Sequence, residues 1–164
     1  MTLIYRSAVS EDIAACIELR GQTRENSVSA ERLRALGVTH QSWSGGVAAG
    51  SLPGHVCLDE GKIIGYCFGD RATGEVVVLA LLPAWEGKGI GKCLLGMVIE
   101  DFTRLGFQRL FLGCSSNPEV RSYGFYRHLG WRSTGTLDAH QDEVLEYFSH
   151  DAVRTNFIGQ GEDG

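Results

Sequence analysis

The sequence has no hydrophobic run long enough to cross a membrane. The longest apolar stretch runs from Val76 to Leu82 and ends at Pro83, far short of the roughly 20 residues that a transmembrane helix requires. The first residues, Met1 to Ser7, also lack the charged and apolar regions of a signal peptide. We therefore expect a cytoplasmic protein without a membrane span.

An excess of positive charge is missing as well. The formal net charge is -5 and the isoelectric point is near 5.5, whereas a nucleic-acid interface needs clustered Lys and Arg to displace counterions from phosphates. The composition excludes a large nucleic-acid surface, although a local basic spot can still bind a small anion.

Patterns for metal sites and disulfides are also absent. The five cysteines are odd in number, form no C-x-x-C pair and mostly lie in apolar runs, and the five histidines show no metal-ligand spacing. We expect buried free thiols in a reducing compartment and no bound metal. The cysteines are Cys16, Cys57, Cys67, Cys93 and Cys114.

The length of 164 residues with 43% hydrophobic content fits one compact domain. We predict this domain over residues 1–150, followed by a polar tail over 151–164. Hydrophobic periodicity and turn residues predict strand, helices, three strands, helix, strand, helix and two strands. Ser29 and Thr39 are candidate helix caps, and 75–82 is a strand covered on both faces. This order indicates a mixed α/β fold, with one mixed sheet and helices on both of its faces.

A glycine-rich segment stands between the apolar strand and a long amphipathic helix. It reads Trp85-Glu86-Gly87-Lys88-Gly89-Ile90-Gly91-Lys92. Glycines allow a sharp turn, and the unpaired N–H groups at a helix start attract phosphate. The segment fails the Walker pattern at Glu86 and at Cys93, and it lacks the third glycine of a dinucleotide fingerprint. A nucleotide-triphosphate switch is therefore disfavoured, and the segment predicts a different anion site.

The segment resembles the acetyl-CoA loop of the GCN5-related N-acetyltransferase (GNAT) superfamily, Gln/Arg-x-x-Gly-x-Gly/Ala. The second signature of that superfamily, a helix that ends in aromatic-Tyr-x-x-Leu-Gly-aromatic, is matched by residues 125–131. The resemblance covers about residues 63–148. It implies a mostly antiparallel twisted sheet and acetyl-CoA as co-substrate. Members often dimerise, so the resemblance allows a homodimer, although no segment here establishes one.

The resemblance also assigns cofactor contacts. In the family the backbone of the strand before the loop holds the acetyl group and the pantetheine arm. Glu86 departs from the usual Gln or Arg, so its contribution would come through its backbone. The family asparagine falls at Glu119, with Asn117 two residues earlier, so either residue can face the cofactor. The predicted contacts are Ala80, Leu81, Leu82, Glu86, Gly87, Lys88, Gly89, Ile90, Gly91, Lys92, Asn117 and Tyr126.

Two residues are candidates for proton transfer. Tyr126 occupies the family position whose phenol protonates the cofactor sulfur, although a helical tyrosine can simply belong to the core. Glu75 opens the apolar strand where some members carry the carboxylate that accepts the amine proton, although a glutamate at a strand end can simply be solvated.

Other polar residues are weaker candidates for the acceptor site. The segment Arg20, Thr23, Arg24, Glu25 and Asn26 lies where the family forms an acceptor wall, or it is a solvated loop. Asp142 and Glu143 can attract a cationic amine, or they belong to a hairpin turn.

The resemblance predicts an N-acetyltransferase that moves an acetyl group from acetyl-CoA to an amine of a small molecule or a protein by direct attack. The alternative is a non-catalytic acyl-CoA-binding or interaction module on the same fold.

Overall fold

The computed structural model describes residues 2–23 and 29–148. Its strands are β1 (Leu3–Ser7), β2 (Gly54–Asp59), β3 (Lys62–Asp70), β4 (Glu75–Leu81), β5 (Arg109–Cys114), β6 (Arg132–Leu137) and β7 (Glu143–Phe148). Its α-helices are α1 (Ile13–Arg20), α2 (Ala30–Ala35), α3 (His40–Ala49), α4 (Ile90–Arg104) and α5 (Arg121–His128). The mixed α/β class is confirmed. The predicted tail 151–164, together with Arg24, Glu25 and Asn26, lies outside the described residues.

The chain divides into two compact units, one that ends at Val98 and one that begins at Ile99. In the first unit the strands lie in the order β1-β2-β3-β4, and each neighbouring pair is antiparallel. Strands β2 and β3 form a hairpin, and its turn holds Glu60 and Gly61 at φ 49° and 81°. Successive left-handed residues fit the right-handed twist of the two strands.

Helices cover both faces of this ladder, as expected. On one face, residues of α1 and α3 pack over β2, β3 and β4 around Trp43, Tyr66 and Phe68, whose ring centroids are 5.3–5.7 Å apart in edge-to-face contacts. On the other face α4 lies over Gly65. The approach is close, since a Cβ on Gly65 would come 3.2 Å from Cδ1 of Leu94 in α4. Alternation of side chains along β3 puts Gly65 and Tyr66 on opposite faces.

Polar caps set the starts of the N-terminal helices. The Ser29 hydroxyl accepts the N–H of Arg32, and Thr39 and Ser42 exchange side chain to backbone hydrogen bonds of 3.0 and 2.9 Å. Both helix starts match the sequence prediction. Before the first helix, Ser10–Asp12 forms a 3-10 turn, and α1 starts at Ile13.

Strand β4 is less enclosed than its apolar sequence predicts. Val77 is 44% exposed. The register with β3 pairs Gly69 with Val76 and Phe68 with Val78, so Val77 is the extra residue of a bulge. A bulge turns one side chain out of the regular alternation, which explains the exposure.

The second unit has the strand order β5-β7-β6, again antiparallel. Helix α5 contributes Tyr126, whose ring meets Trp131 at 6.0 Å, and Trp131 in turn lies 5.2 Å from Tyr147 in β7. Trp131 is 2% exposed. This aromatic row holds the C-terminal end of α5 against the sheet of its unit.

Candidate functional site

The glycine-rich turn follows β4 directly. Leu82 leaves the strand, Pro83–Trp85 forms a 3-10 turn, and the N–H of Trp85 donates to the carbonyl of Leu82 at 2.9 Å. Gly87 and Gly89 then adopt φ of 76° and 82°, a left-handed region that side chains strongly disfavour. Helix α4 begins at Ile90, which is 1% exposed and anchors the turn to the core.

The outer side of this turn is open. Nothing lies within 4 Å of the position that a Cβ would take on Gly87 or on Gly89, and both residues are exposed. The left-handed glycines therefore bend the backbone, and no neighbouring atom crowds the turn at their Cβ positions. A phosphate group fits such a concave backbone.

The start of α4 supplies positive potential. The N–H of Cys93 is hydrogen-bonded to the carbonyl of Gly89 at 3.1 Å, so Ile90, Gly91 and Lys92 precede the first intrahelical donor. Their N–H groups point along the helix axis, where the helix dipole favours an anion. The exposed side chains of Lys88 and Lys92 flank them. The residues present fit a pyrophosphate.

The hydrogen bonds of β4 distinguish the three predicted cofactor contacts at its end, which are Ala80, Leu81 and Leu82. Leu82 donates its N–H to the carbonyl of Ile64 in β3 at 3.0 Å. Because N–H groups alternate in direction along an antiparallel ladder, the N–H of Ala80 also points to β3 and that of Leu81 points away from it. Leu81 is consequently the residue of the three whose N–H faces away from β3.

Glu75 lies at the far end of β4 from the glycine-rich turn. It pairs with Asp70 across the ladder, and its N–H is bonded to Thr73 Oγ1 at 3.2 Å. Five residues of extended strand separate Glu75 from Ala80, which is about 16 Å. A proton taken by Glu75 from an amine near Ala80 would have to travel through water. The assignment of Glu75 as base stays a prediction.

Tyr126 is 9% exposed on α5, with its ring 5.1 Å from Phe125 and 6.0 Å from Trp131. These contacts fix the ring by packing on two sides. They serve a core residue and a positioned proton donor equally well, so the catalytic role of Tyr126 also stays a prediction.

Asn117 forms a turn before α5. Its Oδ1 accepts the N–H of Glu119 at 3.0 Å, and its backbone carbonyl accepts that of Val120 at 3.1 Å. This use of the side-chain oxygen accounts for asparagine at the position. A contact of Asn117 with the cofactor is still a prediction.

Two groups of acceptor-site candidates differ in outcome. The Thr23 hydroxyl donates to the carbonyl of Arg20 at 3.5 Å, at the end of α1. This contact is compatible both with an acceptor wall and with a solvated loop. Glu143 is engaged by Arg127 and by Ser133. This engagement favours a structural role for Glu143 over capture of a cationic amine.

Potential metal ligands, apolar helices and cysteines complete the description of the described residues. In residues 2–23 and 29–148 no three His, Cys, Asp or Glu side chains are arranged to hold a metal ion, and no helix there is long and apolar enough to span a membrane. All five cysteines are free thiols, and four of them are buried. Burial raises the pKa of Cys16 to about 12. The exception is Cys93, exposed in the first turn of α4.

No sequence pattern indicates a role for Arg127, which contacts the Glu143 carboxylate and both the carbonyl and the ring of Tyr123. Sequence reasoning also missed an open cavity of about 480 Å³ in the first unit, between α1 and the β2–β3 hairpin. Among the predicted site residues, Leu82 lines this cavity.

A mixed α/β fold in which a strand leads through left-handed glycines into a long helix is an arrangement suited to binding phosphate-bearing cofactors. The model of the acetyltransferase (GNAT) family matches residues 13–131. The chain belongs to this family.

Relatives and solved structures agree with this assignment. An uncharacterised N-acetyltransferase of Mycobacterium tuberculosis is 31% identical over 90 residues, which are 51% of this chain and 57% of the relative. The chain thus matches little more than half the length of this curated relative.

Two solved structures share the fold. The PaiA N-acetyltransferase of Thermoplasma acidophilum, in complex with coenzyme A, has a TM-score of 0.76 at 20% identity over 90% of this chain and 99% of its own. A phosphinothricin acetyltransferase of Sinorhizobium meliloti, in complex with acetyl-CoA, has a TM-score of 0.67 at 25% identity over 94% and 92%.

Proposed function

We propose that the protein is an N-acetyltransferase that transfers the acetyl group of acetyl-CoA to an amine of a small molecule or a protein. The observation that carries this proposal is the turn from β4 into α4, where Gly87 and Gly89 open the backbone beside the first amides of the helix. Family membership and two structural neighbours described with coenzyme A or acetyl-CoA support the same ligand.

In this proposal the first turn of α4 and the backbone of Gly87 to Gly89 hold the pyrophosphate, with Lys88 and Lys92 adding charge. The N–H of Leu81 polarises the thioester carbonyl, because it points away from the β3 ladder. Acetyl-CoA supplies an activated acyl group, so the protein has to orient an amine, remove its proton and return a proton to the departing thiolate.

We assign the two proton transfers to Tyr126 and Glu75. Tyr126 donates to the thiolate, and Glu75 receives the amine proton through water. Free thiols throughout the chain suit a reducing compartment, and we place the reaction in the cytoplasm. Light scattering would measure whether the protein is a monomer or a homodimer.

Cofactor binding is tested by thermal unfolding. A ligand that binds only the native state at 100 times its Kd adds about 2.7 kcal/mol of stability, so acetyl-CoA should raise Tm by about 5 °C or more. ATP and NAD at the same concentration serve as controls and should leave Tm nearly unchanged. Equal shifts with all three would contradict a specific acetyl-CoA site.

Catalysis is tested by thiol release from acetyl-CoA over a panel of amino acids, polyamines, aminoglycosides and peptides, with the mass gain of one acetyl group as confirmation. Release that depends on an amine supports the enzyme. Binding of acetyl-CoA without amine-dependent release by any member would support the alternative, a non-catalytic acyl-CoA-binding module.

A further inference from the structure

The second unit contains a polar network at the end of α5 that the proposed reaction does not use. Arg127 forms an ion pair through Nη2 with Oε1 of Glu143 and donates Nη1–H to the carbonyl of Tyr123 at 3.1 Å. Its guanidinium also stacks 3.6 Å from the centroid of the Tyr123 ring. Arg127 is 26% exposed and Glu143 17%, so the pair is largely withdrawn from solvent.

Glu143 connects this helix to three strands. It is the first residue of β7, and its Cα partners are Cys114 in β5 and Leu137 in β6. The hydroxyl of Ser133 in β6 donates to its second oxygen, Oε2, at 2.6 Å. The hydrogen bond from Ser133, followed by that from Arg127, holds the pKa of Glu143 below its usual range. The carboxylate is therefore charged at neutral pH and fixed from two sides.

Helix α5 depends on such anchors for its orientation. It has 8 residues and no side-chain cap hydrogen bond at its N-terminus, and helices shorter than about 12 residues are marginal on their own. Tertiary contacts must therefore set its rotation. Within the described part of the second unit such contacts include the aromatic row from Tyr126 to Tyr147 and the Arg127–Glu143 pair.

Rotation of α5 matters because Tyr126 is the neighbour of Arg127 in the chain. A phenolic oxygen about 9 Å from the helix axis moves by about 1.5 Å when the helix turns by about 10°. A misplacement of about 1 Å in a reacting group can cost about 100-fold in rate. The Arg127–Glu143 ion pair joins α5 to β7 with a fixed geometry, so it resists rotation of the helix.

We propose that the Arg127–Glu143 pair, buttressed by Ser133, sets the rotation of α5 and thereby positions the Tyr126 hydroxyl for proton transfer. Arg127 and Glu143 are positioning residues of the reaction. This inference rests on the proposed function, in which Tyr126 is the proton donor.

The test is a double-mutant cycle with Tyr126→Phe. Glu143→Gln keeps the size of the side chain and removes its charge, and Arg127→Lys keeps a charge but loses the planar two-donor geometry. Each is made in the parent and in Tyr126→Phe, and kcat is measured by thiol release with the fastest acceptor of the amine panel. The shift of Tm with acetyl-CoA checks folding and cofactor binding in all six proteins.

We expect each single variant to lower kcat about 10-fold in the parent with an unchanged acetyl-CoA shift. In the Tyr126→Phe background the same substitutions should change kcat by less than about 2-fold, because the group they position is gone. A merely structural pair would lower kcat by the same factor in both backgrounds, and that result would overturn the inference. So would unchanged kcat in both single variants.

Failure of the proposed function gives a different result. A parent protein that shows no acetyl-CoA shift and no thiol release would refute the N-acetyltransferase itself. A parent that turns over normally, with Tyr126→Phe equally active, would remove Tyr126 as donor and the positioning role with it.

Discussion

At the scale of single residues, the proposed chemistry depends on side chains whose packing does not reveal their role. Tyr126 has ring contacts with Phe125 and Trp131 that any core tyrosine can make. The sequence motif around Tyr126 suggested its role. Burial and ring contacts are the same for a proton donor and for a core tyrosine, because the two differ only in what the hydroxyl does. Substitutions that change one function at a time are therefore the decisive measurements.

Tyr126→Phe keeps the ring and removes the proton donor. We expect kcat to fall by roughly 100-fold, the usual scale for a lost general acid, with little change in acetyl-CoA affinity. Tyr123→Phe, one helical turn earlier on α5, is the matched control and should keep kcat within about 2-fold. Equal kcat for parent and Tyr126→Phe, under conditions where chemistry limits the rate, would return Tyr126 to the core.

Glu75→Gln tests the proposed base. A base is most needed when the acceptor amine is protonated, so the rate should fall most at low pH and recover in part as rising pH supplies free amine. The pH–rate profiles of parent and variant measure this. Asp70→Asn, at the partner position across the ladder, is the control. Overlapping profiles for Glu75→Gln and the parent would assign deprotonation to another group or to water.

At the scale of secondary-structure elements, local chemistry was predictable and pairing was not. Ser29 and Thr39 were identified as caps because a capping hydroxyl bonds an amide only three residues away. The bulge at Val77 was missed because it is set by the register with β3. The Arg127–Glu143 pair joins residues 16 apart in the chain, a distance over which periodicity carries no information.

The glycine-rich turn was the most predictable part of the candidate site, since left-handed backbone demands glycine at Gly87 and Gly89. Sequence alone did not show which strand amide points away from β3. The distinction between Ala80 and Leu81 depends on the hydrogen bond from Leu82 to Ile64, which fixes the phase of the ladder.

Gly91→Asp tests the start of α4 as the phosphate site. An acidic residue in the first turn favours the helix itself, so the variant should stay folded while its charge repels the pyrophosphate. We expect the acetyl-CoA shift of Tm to disappear, and Gly91→Ala should retain it. A normal shift in a folded Gly91→Asp protein would show that phosphate binds elsewhere.

At the scale of the whole molecule, acid should unfold the protein partly through Asp12. This carboxylate is 8% exposed and accepts two hydrogen bonds from Arg6, at 2.8 and 2.9 Å, and one from the N–H of Val9. The bond from Arg6 is the main cause that holds the pKa of Asp12 below its usual value. Stability from this group is therefore present above the unfolded pKa of about 3.9 and is lost as pH falls through the lower folded pKa.

Asp12→Asn should consequently lower Tm by about 3 to 6 °C at pH 7, because hydrogen bonds to a charged group contribute about 1.5 kcal/mol or more. The difference from the parent should shrink as pH falls below about 4 and vanish once the pH lies below the lowered pKa of Asp12 in the folded protein. Glu11→Gln, the exposed neighbour, is the control. A difference in Tm that does not change with pH would contradict the linkage.

The open space around Gly87 and Gly89 has a consequence for how the family can diversify. Because no atom lies within 4 Å of a Cβ at either position, a new side chain there meets only the backbone cost of a left-handed residue, about 1 to 2 kcal/mol, and displaces nothing in the core. Under the proposed function, mutations in this turn can therefore alter affinity for acetyl-CoA while the rest of the chain still folds. Selection can tune ligand preference here separately from stability.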